Sequence, residues 1–230
     1  MRYLVIFITL VSLVGSTDCQ AIELLDQSNV VQPGGSFSSL VSEEDLRAGQ
    51  VVTVGMAGKL SRIDLGLFRE HDLPESVFID VAKVVNGIPD FTTGGRLATT
   101  EVASNQLPFI LSFPAAATPK YTISLDFFAS DLEFSVGDRF AIVMRAPTNG
   151  YHWWTSHEEP NTYLGGDIFQ LSTFNNLLIH YTDSGAHFRT YMAVEVPEPS
   201  AFMACLIGLL GLPLLRARAN STFCAKSNGC

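Results

Sequence analysis

An all-β fold, a single jelly-roll-like β-sandwich, is what the sequence predicts, on three observations. Apolar and polar residues alternate with period two in several short runs. Those runs are rich in β-branched and aromatic residues. Turn-forming residues punctuate the chain densely, as in Pro33-Gly34-Gly35 and Gly94-Gly95, and no long segment shows a 3.6-residue apolar period. Eight or more strands joined by turns suit two packed sheets.

At the N-terminus, Met1-Arg2 is a short positive start. Tyr3 to Val14 follows as a mostly apolar run, and then come Gly15-Ser16-Thr17. That order is the order of a secretory signal peptide, here assigned to residues 1–21, and the run is too short to cross a bilayer comfortably. Cleavage after Ala21 and cleavage after Ser16 both fit. The ectodomain is then 22–195. Ser42-Glu43-Glu44-Asp45-Leu46-Arg47 predicts one helical turn, with Ser42 as N-cap and Asp45 at N3.

The strands follow. Ile63, Leu65 and Leu67 face one way, with Arg62, Asp64 and Gly66 opposite. Val77, Ile79, Val81 and Val85 alternate with Phe78, Asp80, Ala82 and Val84. Phe140, Ile142 and Met144 alternate with Arg139, Ala141, Val143 and Arg145. Phe188, Thr190, Met192 and Val194 alternate with Arg189, Tyr191 and Ala193. Each run predicts a half-buried strand.

Both tryptophans lie in Tyr151-His152-Trp153-Trp154-Thr155-Ser156-His157-Glu158-Glu159. Exposed aromatic faces stack on sugar rings while carboxylates bind hydroxyls, so Tyr151, Trp153, Trp154, Glu158 and Glu159 are the candidate ligand-binding residues. The competing reading is a strand with one tryptophan in the core and the other over an edge, because neighbours on a strand point to opposite faces. His152, His157, His180 and His187 are too scattered for the sequence alone to assign a metal. Asp126, Asp131, Glu133 and Asp138 form an acidic stretch open to a structural Ca²⁺ or to simple solvation. Otherwise no metal or cofactor is expected.

The C-terminal region reads Val196-Pro197-Glu198-Pro199-Ser200, an apolar run from Ala201 to Leu215, then Arg216-Ala217-Arg218. Physically this is a transmembrane segment at 201–215 with a positive cytoplasmic flank, followed by a tail at 219–230. Pro-Glu-Pro, apolar helix and basic cluster together resemble the PEP-CTERM sorting signal of Gram-negative bacteria, over 196–218. The resemblance implies recognition by exosortase, a membrane transpeptidase-like protease. Pro197, Glu198 and Pro199 would be the recognition element, and Arg216 and Arg218 the stop-transfer cluster. It also implies delivery to the outer surface or the exopolysaccharide matrix. One departure is the tail, which continues past the arginines to Cys230.

The middle of the chain resembles galactose-binding-like or choice-of-anchor β-sandwich modules. The resemblance runs through Gln50 to Val54, Gly58 to Leu67, Phe134 to Val143 and Phe188 to Tyr191. It speaks to fold more than to activity.

Composition narrows the function further. The chain carries a net charge of -9. Between Ile22 and Val196 there are 21 acidic and 10 basic residues. Such a surface disfavours nucleic acid and anionic lipid. The four cysteines, Cys19, Cys205, Cys224 and Cys230, all lie outside the ectodomain, which therefore has no disulfide framework. There is no Gly-x-Ser-x-Gly elbow and no phosphate loop, and Pro160 spoils the helix that His157-Glu158 would need as a zinc-protease start. The sequence thus predicts a non-catalytic exported surface or matrix protein. Its partners are exosortase, the membrane through the C-terminal helix, and polysaccharide as a further class. A carbohydrate-binding module and an extracellular glycan-active enzyme are the two alternatives.

Overall fold

The computed structural model describes residues 20–30, 37–42, 46–70, 72–110, 122–148, 150–156, 163–172, 176–182 and 184–196. Residues 1–19, the sorting signal from Pro197 through Arg218, the tail, Glu158, Glu159 and the four cysteines lie outside them. The chain divides into two compact units. One comprises Met1–Ile22 with Glu195–Cys230, and the other is Glu23–Val194.

The fold is all-β. In chain order the strands are β1 (Gln20–Asn29), β2 (Phe37–Ser42), β3 (Leu46–Thr53), β4 (Gly58–Leu65), β5 (Leu67–Arg69), β6 (Val77–Val85), β7 (Ile88–Pro89) and β8 (Arg96–Val102). They continue with β9 (Ile123–Asp126), β10 (Glu133–Phe134), β11 (Arg139–Arg145), β12 (Tyr151–Ser156), β13 (Ile168–Ser172), β14 (Leu177–Tyr181), β15 (Gly185–Ala186) and β16 (Phe188–Val196). The helical elements among the described residues are single 3-10 turns, at Thr93–Gly95, Ser104–Gln106 and Phe128–Ser130. No helix among the described residues is long and apolar enough to cross a membrane. The helical turn expected from Ser42 is not there at its ends. Ser42 closes β2 and Arg47 lies within β3, where it pairs with Arg145 on one side and Leu171 on the other. Ladder bonds to two neighbours outweigh a lone capped turn.

Three sheets result among the described residues. The largest has the order β14-β13-β3-β11-β6-β7, with β8 also on β6. A second has the order β1-β16-β4-β10, with β9 also on β4. The third has the order β15-β12-β2, with β5 also on β12. Inward side chains of all three meet in one cluster. Val52, Ile79, Val81, Phe140, Ile142 and Met144 come from the large sheet, Leu60, Ile63, Leu65, Phe188 and Met192 from the second, and Tyr151, Trp153 and Leu67 from the third. Period-two patterning assigned Ile63, Leu65, Leu67, Ile79, Val81, Phe140, Ile142, Met144, Phe188 and Met192 to one face each, as the structure has them.

Two features depart from that patterning. First, the central strands of the large sheet are buried on both faces. Val51, Ala82, Ala141, Val143 and Phe169 form a second apolar cluster, packed by Val84 and Phe91. The cover comes from a hairpin: Asn86 and Gly87 both take positive φ (53° and 83°), as a tight two-residue turn requires, and Val85 pairs with Ile88. The chain then folds back so that Pro89 and Phe91 lie against Gly49. Secondly, the run from Arg62 to Leu67 is not one strand. It breaks at Gly66, where β4 ends and β5 leaves in a new sheet.

Candidate functional site

Strand β12 carries the aromatic residues that the sequence singles out, and its surroundings explain their fate. It pairs along its whole length with β2, from Tyr151↔Ser42 to Ser156↔Phe37. Its other edge pairs first with β5 and then with β15. β5 continues β4 past Gly66, and β15 runs into β16 past His187. Since β4 and β16 pair with each other up to Leu65↔Phe188, β12 lies across the point where that pair splits. Three backbone bonds close the junction: Trp154 N to Gly66 O (2.9 Å), Gly66 N to His187 O (3.2 Å) and His187 N to Trp154 O (2.8 Å).

Alternation along β12 sends Tyr151 and Trp153 into the shared core and His152 and Trp154 to the opposite side. All of them are buried. Tyr151, Trp153 and Trp154 are 1%, 0% and 1% exposed. The Trp153 indole donates to the His187 carbonyl at 2.9 Å, and the Tyr151 phenol donates to the Glu75 carbonyl. Burial raises the Tyr151 pKa above its ordinary value. On the other side the Phe68 ring stacks on His152, with centroids 4.7 Å apart, and meets Trp154 at a tilt. The expected sugar platform is therefore interior: no ring of the three offers a face to solvent. Its expected carboxylates, Glu158 and Glu159, lie outside the described residues. The carboxylate that does meet this strand is Glu70, 3.3 Å from His152 Nε2. It was missed because β5 brings it there from 82 positions away in sequence.

The described histidines do not form one group. His152 and His187 belong to the junction, whereas His180 stacks on Phe169 (4.4 Å) and pairs with Asp167 (2.8 Å) in the large sheet. His157 lies outside the described residues. Burial, with a smaller push from Arg189 against a pull from Asp64, lowers the His187 pKa to about 4, so its ring is neutral at physiological pH. The acidic stretch is used locally. Asp126 accepts from Phe128 N (2.8 Å), Asp131 pairs with Lys59 (2.7 Å) and Asp138 accepts from Ser135 N (2.7 Å). Among the described residues no three His, Cys, Asp or Glu side chains group in a way that could hold a metal ion.

The depressions among the described residues include two that bear on this question. One, of about 280 Å³, is lined by Arg69, Asp72, Ser76, Ser104 and Asn105 among others. The other is a shallow apolar groove of about 550 Å³ between the β6–β7 hairpin and β14, lined by Val85, Ile88, Phe91, Leu171 and Leu178 among others. Each has a single carboxylate in its lining, Asp72 and Asp90 respectively.

Comparison with known proteins adds little to this geometry. No family model matches the chain, and no curated protein does. Among solved structures, the Clostridial cysteine protease Cwp84 after propeptide cleavage matches with a TM-score of 0.43 at 13% identity. The match covers 75% of this chain and 40% of that one, so the chain spans less than half the length of the protein it resembles. A likeness that loose bears on neither fold nor activity.

Proposed function

We propose that this chain is an exported, non-catalytic surface or exopolysaccharide-matrix protein of a Gram-negative bacterium, sorted through a PEP-CTERM signal. Its body is a single jelly-roll-like β-sandwich. A membrane helix at 201–215 holds it until exosortase acts. The observation that carries the reading is the ordered series Pro197-Glu198-Pro199, apolar run, Arg216 and Arg218, paired with a signal-like segment at the other end. In support, the compact β unit Glu23–Val194 occupies the interval between those segments and contains no cysteine. Cleavage after Ser16 would keep β1 whole, and cleavage after Ala21 would remove its first two residues.

A carbohydrate contact through Tyr151, Trp153 and Trp154 is not carried forward, since those rings are enclosed. The test of the sorting reading is a reporter fused to residues 197–218 in a host that has exosortase. Processing of the fusion is expected, and it should be lost when Pro197 and Pro199 are both replaced by alanine. Unchanged processing of that double variant would reject the signal.

A further inference from the structure

Arg47, Arg96 and Arg145 lie far apart in sequence, on β3, β8 and β11, yet they converge on the outer face of the large sheet. Arg145 stands directly across from Arg47 in register. Asp80, on β6 between β11 and β8, is 3% exposed and holds two of the three. Its Oδ1 accepts from the Thr99 hydroxyl (2.7 Å) and from Arg145 Nη2 (3.0 Å). Its Oδ2 meets Arg145 Nε and, at 3.2 Å, Arg96 Nε. Arg47 donates through Nη1 to the Phe91 carbonyl.

Three guanidinium charges thus lie around one carboxylate, which bonds two of them. The cluster carries two surplus positive charges in a chain whose net charge is -9. The other carboxylate on this row, Glu101, is exposed and stands across Phe78 from Arg145, whose guanidinium lies over the Phe78 ring (5.1 Å). The surplus is costly where it sits. Burial, with the charges of Arg145 and Arg96, lowers the pKa of Arg47. It is also reachable, since the Arg96 and Arg145 side chains keep 28% and 22% exposure. Arg96 engages Asp80 through Nε alone, and among the described residues its two terminal nitrogens have no hydrogen-bond partner. Those nitrogens form the two-pronged edge that matches a carboxylate or sulfate.

We propose that Arg47, Arg96 and Arg145 form an oxyanion-binding site organised by Asp80, taking a carboxylate or sulfate group on the outer face of the large sheet. The group can come from a free ion or from an acidic glycan. Asp80 locks Arg145 with two bonds and fixes Arg96, so the donors are ordered before the anion arrives. The inference rests on the register of four strands and is independent of how the chain is exported.

The test titrates the full-length chain with sodium sulfate, oligogalacturonate and neutral dextran at constant ionic strength, by calorimetry. The two anions bind and dextran does not. Arg96→Gln, which leaves the Asp80–Arg145 bonds intact, weakens anion binding by about ten-fold or more. Lys59→Gln, which removes a positive charge from the second sheet, changes it by less than about two-fold. If Arg96→Gln unfolds the chain, Arg47→Gln replaces it, because Arg47 makes no bond to Asp80. Oligogalacturonate binding far tighter than sulfate, with the same dependence on Arg96, assigns the site to an acidic glycan. Equal affinities assign it to a free ion. Absence of binding by either anion, or equal weakening by Arg96→Gln and Lys59→Gln, overturns the site and leaves the arginines a purely structural role.

Discussion

The central strands of the large sheet are buried on both faces, but by different chemistry. The inner face presents Val52, Ile79, Val81, Phe140, Ile142 and Met144 to one apolar cluster. The outer face combines small apolar residues, Val51, Ala82, Ala141 and Val143, with a charged row centred on Asp80. Burial of the inner face is non-directional, so its residues tolerate exchange at similar volume. Burial of Asp80 is directional: the charge is tolerable only while Arg145, Arg96 and Thr99 answer its two oxygens. One sheet therefore carries a face that sets stability by area and a face that sets it by pairing.

The largest expected effect comes from breaking the pairing. Asp80→Ala leaves the partly buried guanidinium groups of Arg96 and Arg145 without their carboxylate, and should cost about 3–5 kcal/mol. Urea denaturation of the variant measures it. A loss below about 1 kcal/mol would place the cluster with ordinary surface ion pairs.

Acid separates a neutral buried group from these permanently charged arginines. His187 is 2% exposed, and its pKa is lowered from 6.5 to about 4. Between those values the unfolded chain takes up a proton that the folded chain refuses. The contribution is thus complete above about pH 6.5 and declines as pH falls toward 4, by on the order of 3 kcal/mol. Arginine does not titrate in this range. Stability measured from pH 7 to pH 5 should fall more steeply in the wild type than in His187→Asn. Parallel profiles would remove His187 from the account.

On the apolar side the two faces can be compared at adjacent residues of β11. Ile142→Ala opens the inner cluster and should cost about 2–4 kcal/mol. Val143→Ala, in the thinner outer cluster, deletes less and should cost about 1–2 kcal/mol. Equal losses would mean that the outer cover of Val84 and Phe91 packs as tightly as the main core.

Much of the inner face was legible in the sequence, because Ile79, Val81, Phe140, Ile142 and Met144 recur at the strand period. The burial of the outer face was not. Its cover depends on the hairpin at Asn86-Gly87, a dipeptide that is itself a strong turn signal, and on where the returning segment lands. The arginine cluster was illegible for another reason. Arg47 and Arg145 become neighbours only once β3 and β11 are in register, and no spacing along the chain encodes that. In β12, alternation correctly sent Trp153 and Trp154 to opposite faces. It said nothing of what covers each face, and both proved to be enclosed.

Gly66 offers the finest test, read through a small coupling energy, because here the period was right and the continuity was wrong. Ile63, Leu65 and Leu67 keep their alternation through the corner, so the pattern hides the break. The residue that permits the corner is small because the His187 ring fills the space. A Cβ at position 66 would stand 3.0 Å from His187 Cδ2 and 3.1 Å from Cγ. Gly66→Ala must displace a ring that is itself buried, at a cost of about 1–3 kcal/mol. If the ring is the obstacle, the same substitution in a His187→Ala background should cost less, with a coupling of about 0.5 kcal/mol or more in a double-mutant cycle. Strict additivity would show instead that the backbone bonds among Gly66, His187 and Trp154 set the corner. The ring would then be a passenger in it, held there by burial alone.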